Sequence, residues 1–301
     1  MPRKKVLIAG ASGVVGQAAI RHFAHSLDWD VVGVSRRPPL TDQSGVTYVP
    51  VDLLDRQHCN EVFGRMTDVT HLVWAAVNEN PADLRAGWRD PEQMQKNLRM
   101  LENLFEPLLA AADNFQHVSL LQGTKAYGVH AGMRPSIPLR EDSPRQIHDN
   151  FYFLQEDYVR SQQAGQPWYW TILRPVLIFG DAVGSNLNAL LAIAIYGALR
   201  KEVGLPLPYP SGGRQITECV DSDLQARALM WSATSLASRN EIFNVANGDH
   251  VTMYDLWPVF AEALGMEIGP PNRGHWRRKC VTTLAHGRAW CATTIWPRRT
   301  T

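Results

Sequence analysis

An α/β fold, a Rossmann-like doubly wound parallel sheet with a smaller C-terminal substrate lobe, is predicted by three features of this 301-residue chain. Short apolar runs alternate with helical stretches, a glycine-rich turn directly follows the first run, and the pattern changes beyond Gly180. Strands that alternate with helices at this spacing pair in parallel, because each helix carries the chain back to start the next strand.

Val6–Ala9 is the first strand: four apolar residues run into Gly10, Gly13 and Gly16, and Gln17–Phe23 then has helical character. Asp30–Ser35 is the second, ending at Arg36-Arg37 before Pro38 and Pro39 stop it. Val46–Val51 and His71–Val77 are the third and fourth. In Pro91–Ala112 the residues Leu98, Leu101, Leu104, Phe105 and Leu108 fall on one side of a helix. His117–Leu121 is the fifth strand and Trp170–Phe179 the sixth. Past Gly180, Asn186–Lys201 reads as a helix and Leu205–Pro210 as a proline-rich loop. Val220–Ala233 is a helix opened by Asp221 or Asp223, Glu241–Ala246 a strand, and Thr252–Leu264 a helix ending at Gly265. The expected division is a dinucleotide-binding domain over residues 1–180, the smaller lobe over 181–271 and an atypical basic tail over 272–301.

A net charge of +1 provides no global field for nucleic acid or an anionic membrane. Cys59, Cys219, Cys280 and Cys291 form no Cys-x-x-Cys pair and no metal-ligand spacing, so no metal site is expected and the thiols read as reduced, as in a cytoplasmic protein. The basic start lacks the apolar stretch of an export signal. The most apolar region, Leu187–Leu199, contains Asn188 and Gly197 and is too short to span a bilayer. The expected partner is a small molecule, with a homodimer as a further option.

Gly10-Ala-Ser-Gly13-Val-Val-Gly16 directly after a strand is the pattern that lets a backbone approach a pyrophosphate at a helix N-terminus. The end of the second strand selects the dinucleotide. NAD sites place a carboxylate there for the ribose 2′-hydroxyl, whereas this chain has Ser35-Arg36-Arg37, whose guanidinium groups suit the 2′-phosphate of NADPH. Asp52, ending the third strand, is either a partner for the adenine amino group or the N-cap of the next helix. The expected cofactor-binding set is Gly10, Ser12, Gly13, Val14, Val15, Gly16, Ser35, Arg36, Arg37, Asp52 and Leu53. At later strand ends Ala75, Gln122, Lys125, Pro175, Val176 and Ile178 join it.

A short-chain reductase site normally uses a Tyr-x-x-x-Lys helix. Here Tyr152 is followed four residues later by Glu156, and no tyrosine in the chain has lysine at that spacing. Lysine occurs only at positions 4, 5, 96, 125, 201 and 279, and of these only Lys125 lies just past a strand end that faces the ligand crevice. Taken alone, Tyr152 is either a core-filling helix tyrosine or a chemical group, and Lys125 either a solvated loop residue or a ligand contact.

Together, Gly123-Thr124-Lys125-x-Tyr127 and Asn150-Phe151-Tyr152-x-x-x-Glu156-Asp157 resemble the progesterone 5β-reductase/iridoid synthase-like group of atypical short-chain reductases, most of all its bacterial members. The resemblance runs from Val6 to about Pro270 and includes Leu173-Arg174-Pro175, Gly180–Gly184 and Phe243–Gly248. It implies catalytic roles for Tyr152 and Lys125 and a reductase that uses NADPH to add hydride to the β-carbon of an enone or enal. Such a reaction needs a donor aimed at the carbonyl oxygen where charge develops, and a nearby ammonium is expected to make the tyrosine more acidic. The alternatives are a carbonyl reductase or nucleotide-sugar epimerase of the same fold, or a non-catalytic NADP-binding regulator.

Glu156 and Asp157 point about 100° apart on a helix, so they read as surface or supporting groups rather than an acid/base pair. The plant-type aromatic pocket residue after Lys125 is replaced by His130-Ala131-Gly132-Met133, where His130 either donates to a substrate carbonyl or sits on a surface loop. Arg134–Asn150, with three prolines, is either a flap joining the two catalytic segments or an ordinary loop. From Asn272 onward there is no acidic residue, and the expectation is a frame change or truncation rather than a nucleic-acid tail.

Overall fold

The computed structural model describes residues 3–37, 43–79, 88, 90–182, 184–185, 188–209 and 215–270. The basic tail, Pro38, Pro39, Cys280 and Cys291 lie outside the described residues.

The first part of the chain folds as β1 (Lys4–Ala9), α1 (Val14–Ala24), β2 (Trp29–Ser35), β3 (Val46–Pro50), α2 (Arg56–Phe63), β4 (His71–Trp74), α3 (Pro91–Ala111) and β5 (His117–Leu121). Next come two short 3-10 turns, α4 (Phe151–Gln163), β6 (Tyr169–Pro175), β7 (Leu177–Phe179) and α5 (Ala189–Glu202). The remainder is β8 (Leu207–Pro208), β9 (Ile216–Asp221), α6 (Ser222–Thr234), β10 (Glu241–Val245), β11 (His250–Thr252), α7 (Met253–Ala263) and β12 (Ile268–Gly269). Seven strands form one parallel sheet in the order β10-β6-β5-β4-β1-β2-β3. The predicted doubly wound class is therefore the observed one, with its reversal of strand order between β1 and β4.

Both faces of the sheet are covered, which is why β1 is continuously apolar from Val6 to Ala9 rather than alternating. Leu7 and Ala9 pack into one cluster with Leu101, Leu104, Phe105 and Leu108 of α3. Val6 and Ile8 pack on the other face with Val15, Ala19, Ile20 and Phe23 of α1. Of the predicted α3 stripe, four residues are wholly buried, and Leu98 is partly so.

The chain divides into two compact units, and they do not follow the expected break near residue 180. Of the described residues, those up to 185 and 220–247 form the first, and 188–219 and 248–270 the second. Thus α6 and β10, expected in the smaller lobe, belong to the nucleotide-fold unit, where β10 pairs in parallel with β6 from Glu241↔Thr171 to Val245↔Pro175. In the second unit, β8 pairs with β12 and β11 runs antiparallel to β9. Its core includes Trp257, whose indole N–H donates to the Leu207 carbonyl at 3.2 Å.

Among the boundaries that differ from expectation, three matter most here. β4 stops at Trp74, leaving Ala75–Val77 as irregular chain at the ligand edge. The sixth strand ends at Pro175, which has no N–H to continue the ladder, and β7 restarts at Leu177. Val220 lies in β9 rather than in a helix; α6 starts at Ser222, capped by Asp221, whose carboxylate accepts from the Asp223 amide at 2.8 Å. Among the described residues no helix is long and apolar enough to cross a membrane, and no group of His, Cys, Asp and Glu could hold a metal.

Candidate active site

The glycine turn leaves β1 at the strand-order reversal. Gly10 has φ +86°, and a Cβ there would stand 2.6 Å from the Ala75 carbonyl oxygen, so a side chain would push the turn off the end of β4. A Cβ on Gly16 would stand only 2.1 Å from the Gly10 carbonyl oxygen, which makes glycine a condition for seating α1 against the turn. Gln17 braces the loop by donating to the Ser12 carbonyl at 3.0 Å. Gly13 is the N-cap of α1 and supplies no side-chain acceptor, so the amides of Val14, Val15 and Gly16 meet the loop uncapped. A pyrophosphate fits this cradle: it supplies the acceptors that the helix end lacks and complements its dipole.

Arg36 and Arg37 follow β2 exposed, and neither forms an ion pair among the described residues. Asp52 is not the helix cap: Asp55 caps α2 through the His58 amide, while exposed Asp52 accepts from the Leu54 amide at 3.0 Å. Leu53 is buried beside it. Ala75, Gln122 and Val176 lie just past β4, β5 and β6, on the same edge of the sheet as Gly10. Ile178 packs with the α1-side core. The Gln122 side chain, however, is committed within the protein, donating to Glu156 Oε2 at 2.9 Å and accepting from Arg174 Nε at 2.8 Å.

Lys125 and Tyr152 come together around an aromatic residue that no sequence motif marks. The Lys125 ammonium lies 3.5 Å from the centroid of the Trp88 ring, and the Tyr152 ring packs edge-on against the same indole at 5.2 Å. The Tyr152 hydroxyl sits against the end of β5, 3.7 Å from where a Cβ on Gly123 would stand. Glu79 accepts from the Trp88 indole N–H at 3.1 Å. Burial lowers the Lys125 pKa, an effect that the Glu79 carboxylate opposes. Burial first, and then Glu79, push the Tyr152 phenol well above its ordinary value. The expected acidification of Tyr152 by the ammonium is therefore not what the free protein has; the phenol is held protonated. His130, expected at the surface or on a substrate carbonyl, is half-buried with its ring 5.6 Å from Trp88 and 5.2 Å from His148.

Glu156 overturns the surface reading. It is 2% exposed and meets Arg145 Nη2 at 2.8 Å, Arg160 Nη2 at 2.9 Å and Arg174 Nη2 at 3.7 Å. Burial alone raises its pKa, but hydrogen bonds from Arg145 and Gln122 and the charges of Arg145 and Arg160 bring the net value below the ordinary one. Asp157 is exposed and shares Arg145, which meets it at 2.7 Å. Arg145 belongs to the segment expected as a flap or plain loop. That segment is fastened again where Asn244 donates its amide to Glu141 Oε1 at 2.7 Å and its side-chain N–H to the Leu139 carbonyl at 3.0 Å.

The profile of the NAD dependent epimerase/dehydratase family matches residues 6–246. The chain is 31% identical to the (S)-8-oxocitronellyl enol synthase of Nepeta racemosa over 282 residues, covering 89% of this chain and 71% of that protein. It is 32% identical to the 3-oxo-Delta(4,5)-steroid 5-beta-reductase of Arabidopsis thaliana over 276 residues, covering 87% and 69%. Among solved structures, the UDP-glucose 4-epimerase of Thermus thermophilus in complex with NAD superposes with a TM-score of 0.68 at 20% identity, covering 94% of this chain and 93% of that one, a likeness of fold.

Proposed function

The chain belongs to the NAD dependent epimerase/dehydratase family and, within it, to the progesterone 5β-reductase/iridoid synthase-like oxidoreductases, and from that premise we propose that it is an NADPH-dependent reductase of activated C=C bonds. One relative is named for an enol product and another for reduction of a 3-oxo-Δ4,5 steroid, which is an enone. The observation that carries the reading is the meeting of Lys125 and Tyr152 across Trp88, with Glu156 buried where the usual helix lysine would stand.

NADPH, when bound, supplies hydride to the β-carbon of the substrate. The chain's share is to receive the charge that then develops on the carbonyl oxygen. Tyr152 is protonated at neutral pH, so its hydroxyl donates a hydrogen bond to that oxygen, and the bond strengthens as charge grows. Lys125 adds positive potential beside it and a donor for the nicotinamide ribose. Gly10, Gly13 and Gly16 with the first amides of α1 hold the pyrophosphate, and Arg36 and Arg37 take the 2′-phosphate. An epimerase or carbonyl reductase uses the tyrosine as base or proton donor, normally with its lysine one helical turn away; here that position is a carboxylate.

Incubation with NADPH and 2-cyclohexen-1-one, followed by product analysis, tests the proposal. Cyclohexanone is the expected product. The allylic alcohol alone would transfer the assignment to carbonyl reduction, and NADPH binding without turnover of enones, enals or ketones would favour a non-catalytic regulator. Tyr152→Phe should lower kcat about 10²-fold, the loss typical of one oxyanion donor.

A further inference from the structure

We propose that Asn150 is a positioning residue, whose side-chain amide ties the Lys125 segment to the helix that carries Tyr152. The inference rests on the roles proposed above for those two residues. Asn150 is 3% exposed and uses its whole amide. Its Oδ1 accepts from the Tyr152 backbone N–H at 3.0 Å, capping α4, while its Nδ2 donates to the Lys125 carbonyl at 2.9 Å, 25 residues away in sequence. The same Nδ2 lies 3.3 Å from His148 Nε2.

His148 closes the same corner: its Nε2 lies 3.3 Å from the Lys125 carbonyl as well as from Asn150 Nδ2, and its Nδ1 faces the Gln146 carbonyl at 3.0 Å. Reversing the amide would set its oxygen against the Lys125 carbonyl and its N–H groups against the Tyr152 backbone N–H, so one orientation is enforced. A rigid planar group therefore fixes the spacing between the backbone of Lys125 and the first turn of α4. Lys125 keeps its ammonium over Trp88, and Tyr152 packs on that same ring.

This double duty can be taken apart chemically. Asparagine, aspartate and serine cap helices almost equally well. Aspartate, however, has no N–H for the Lys125 carbonyl, and serine is too short to reach it. Asn150→Asp and Asn150→Ser thus retain the cap and remove the tie, whereas Asn150→Ala removes both.

The experiment uses the full chain and three readouts: the urea midpoint, kcat and KM for 2-cyclohexen-1-one with NADPH, and the Lys125 titration. The last is followed by NMR after reductive 13C-methylation and assigned by comparison with Lys125→Arg. In the Asp and Ser variants the midpoint should fall by less than in the Ala variant, which loses the cap as well as the tie. kcat should fall about tenfold or more at little-changed enone KM, as expected when a reacting group is misplaced by about an ångström. In the Ser variant, which adds no charge beside it, the Lys125 pKa, lowered by burial in the parent, should move up toward the ordinary lysine value. Unaltered kcat and an unmoved Lys125 resonance in a folded Asp or Ser variant would overturn the proposal. Unfolding of both would also overturn it, since the residue would then be structural only. Should the parent fail to reduce the enone, the reductase reading falls while the Lys125 titration still decides the tie.

Discussion

Replacing Glu156 by glutamine removes one negative charge and hardly changes shape, and the structure sets the size of the effect. The carboxylate is 2% exposed and answers three guanidinium groups. Arg145 and Arg160, at 37% and 44% exposed, can turn toward water when their partner is lost, so their share is modest. Arg174 is 5% exposed and keeps its bond to Gln122 and its place over the Tyr127 ring, but its charge is left in the interior without a counterion. Breaking one side of a buried pair costs about 3–5 kcal/mol. With two of the three arginines able to hydrate, Glu156→Gln should cost about 3 kcal/mol, measured as the difference in urea unfolding free energy at pH 7. The pH dependence gives an independent check. The folded-state pKa lies below the unfolded value, so the stabilisation is complete above the ordinary carboxylate range and is lost as pH falls through the folded pKa. Between neutral pH and strong acid the parent and the variant should therefore converge. A cost below about 1 kcal/mol at pH 7, or no convergence in acid, would refute the buried-hub argument.

Arg36→Glu should reverse the preference between NADPH and NADH by about 10- to 100-fold in Kd, since an arginine bond to a charged oxygen contributes about 1.5–3 kcal/mol; unchanged discrimination in fluorescence titration would remove the 2′-phosphate assignment. Gly16→Ala forces a Cβ to within 2.1 Å of the Gly10 carbonyl oxygen, so about 1–3 kcal/mol of stability and most NADPH affinity should be lost together in melting and binding assays. His71 and His117 are buried, and burial lowers their pKa values from 6.5 to about 4 and about 3. The unfolded chain therefore takes up protons below pH 6.5 that the fold refuses, and stability should fall from pH 6.5 toward pH 4 by on the order of a few kcal/mol for each. His117→Gln should flatten that slope in urea titrations; an unaltered slope would mean that the ring is not held neutral.

The parts of this fold that local pattern determines are readable in the chain. β5 has the bounds its apolar run suggests, and the α3 stripe is buried because period and burial coincide. Partnership is not readable. Glu241–Val245 shows itself as a strand, but nothing local says that it returns to β6 rather than joining the lobe around it in sequence. For Glu156 the sequence leaves a surface and a supporting role side by side, because a helical carboxylate is usually exposed. Its burial depends on Arg145, Arg160 and Arg174, and only Arg160 lies at helical spacing. Trp88 has no signal at all: a lone tryptophan outside any periodic stretch carries no address, yet it meets Lys125, Tyr152, Phe151 and His130.

The absence of lysine four residues after Tyr152 now has a physical account. A lysine at that helix position would bring a fourth cation among Arg145, Arg160 and Arg174, with no carboxylate left at the centre to answer them. The carboxylate instead gathers charge from β6, from α4 and from the segment that precedes α4, and it shares Gln122 with Arg174 at the end of β5. Those are the elements that bracket Gly123–Lys125. The exchange of lysine for glutamate in the helix and the arrival of lysine past β5 are thus two sides of one rearrangement. The helix position becomes the anchor of the scaffold, and the cation moves to the strand end, where the Trp88 ring faces the ammonium and the Asn150 amide holds the Lys125 carbonyl. It follows that Glu156→Lys should not recreate a working Tyr-x-x-x-Lys pair: the variant should be less stable than Glu156→Gln in the same urea assay, and a folded, more active Glu156→Lys protein would contradict this account.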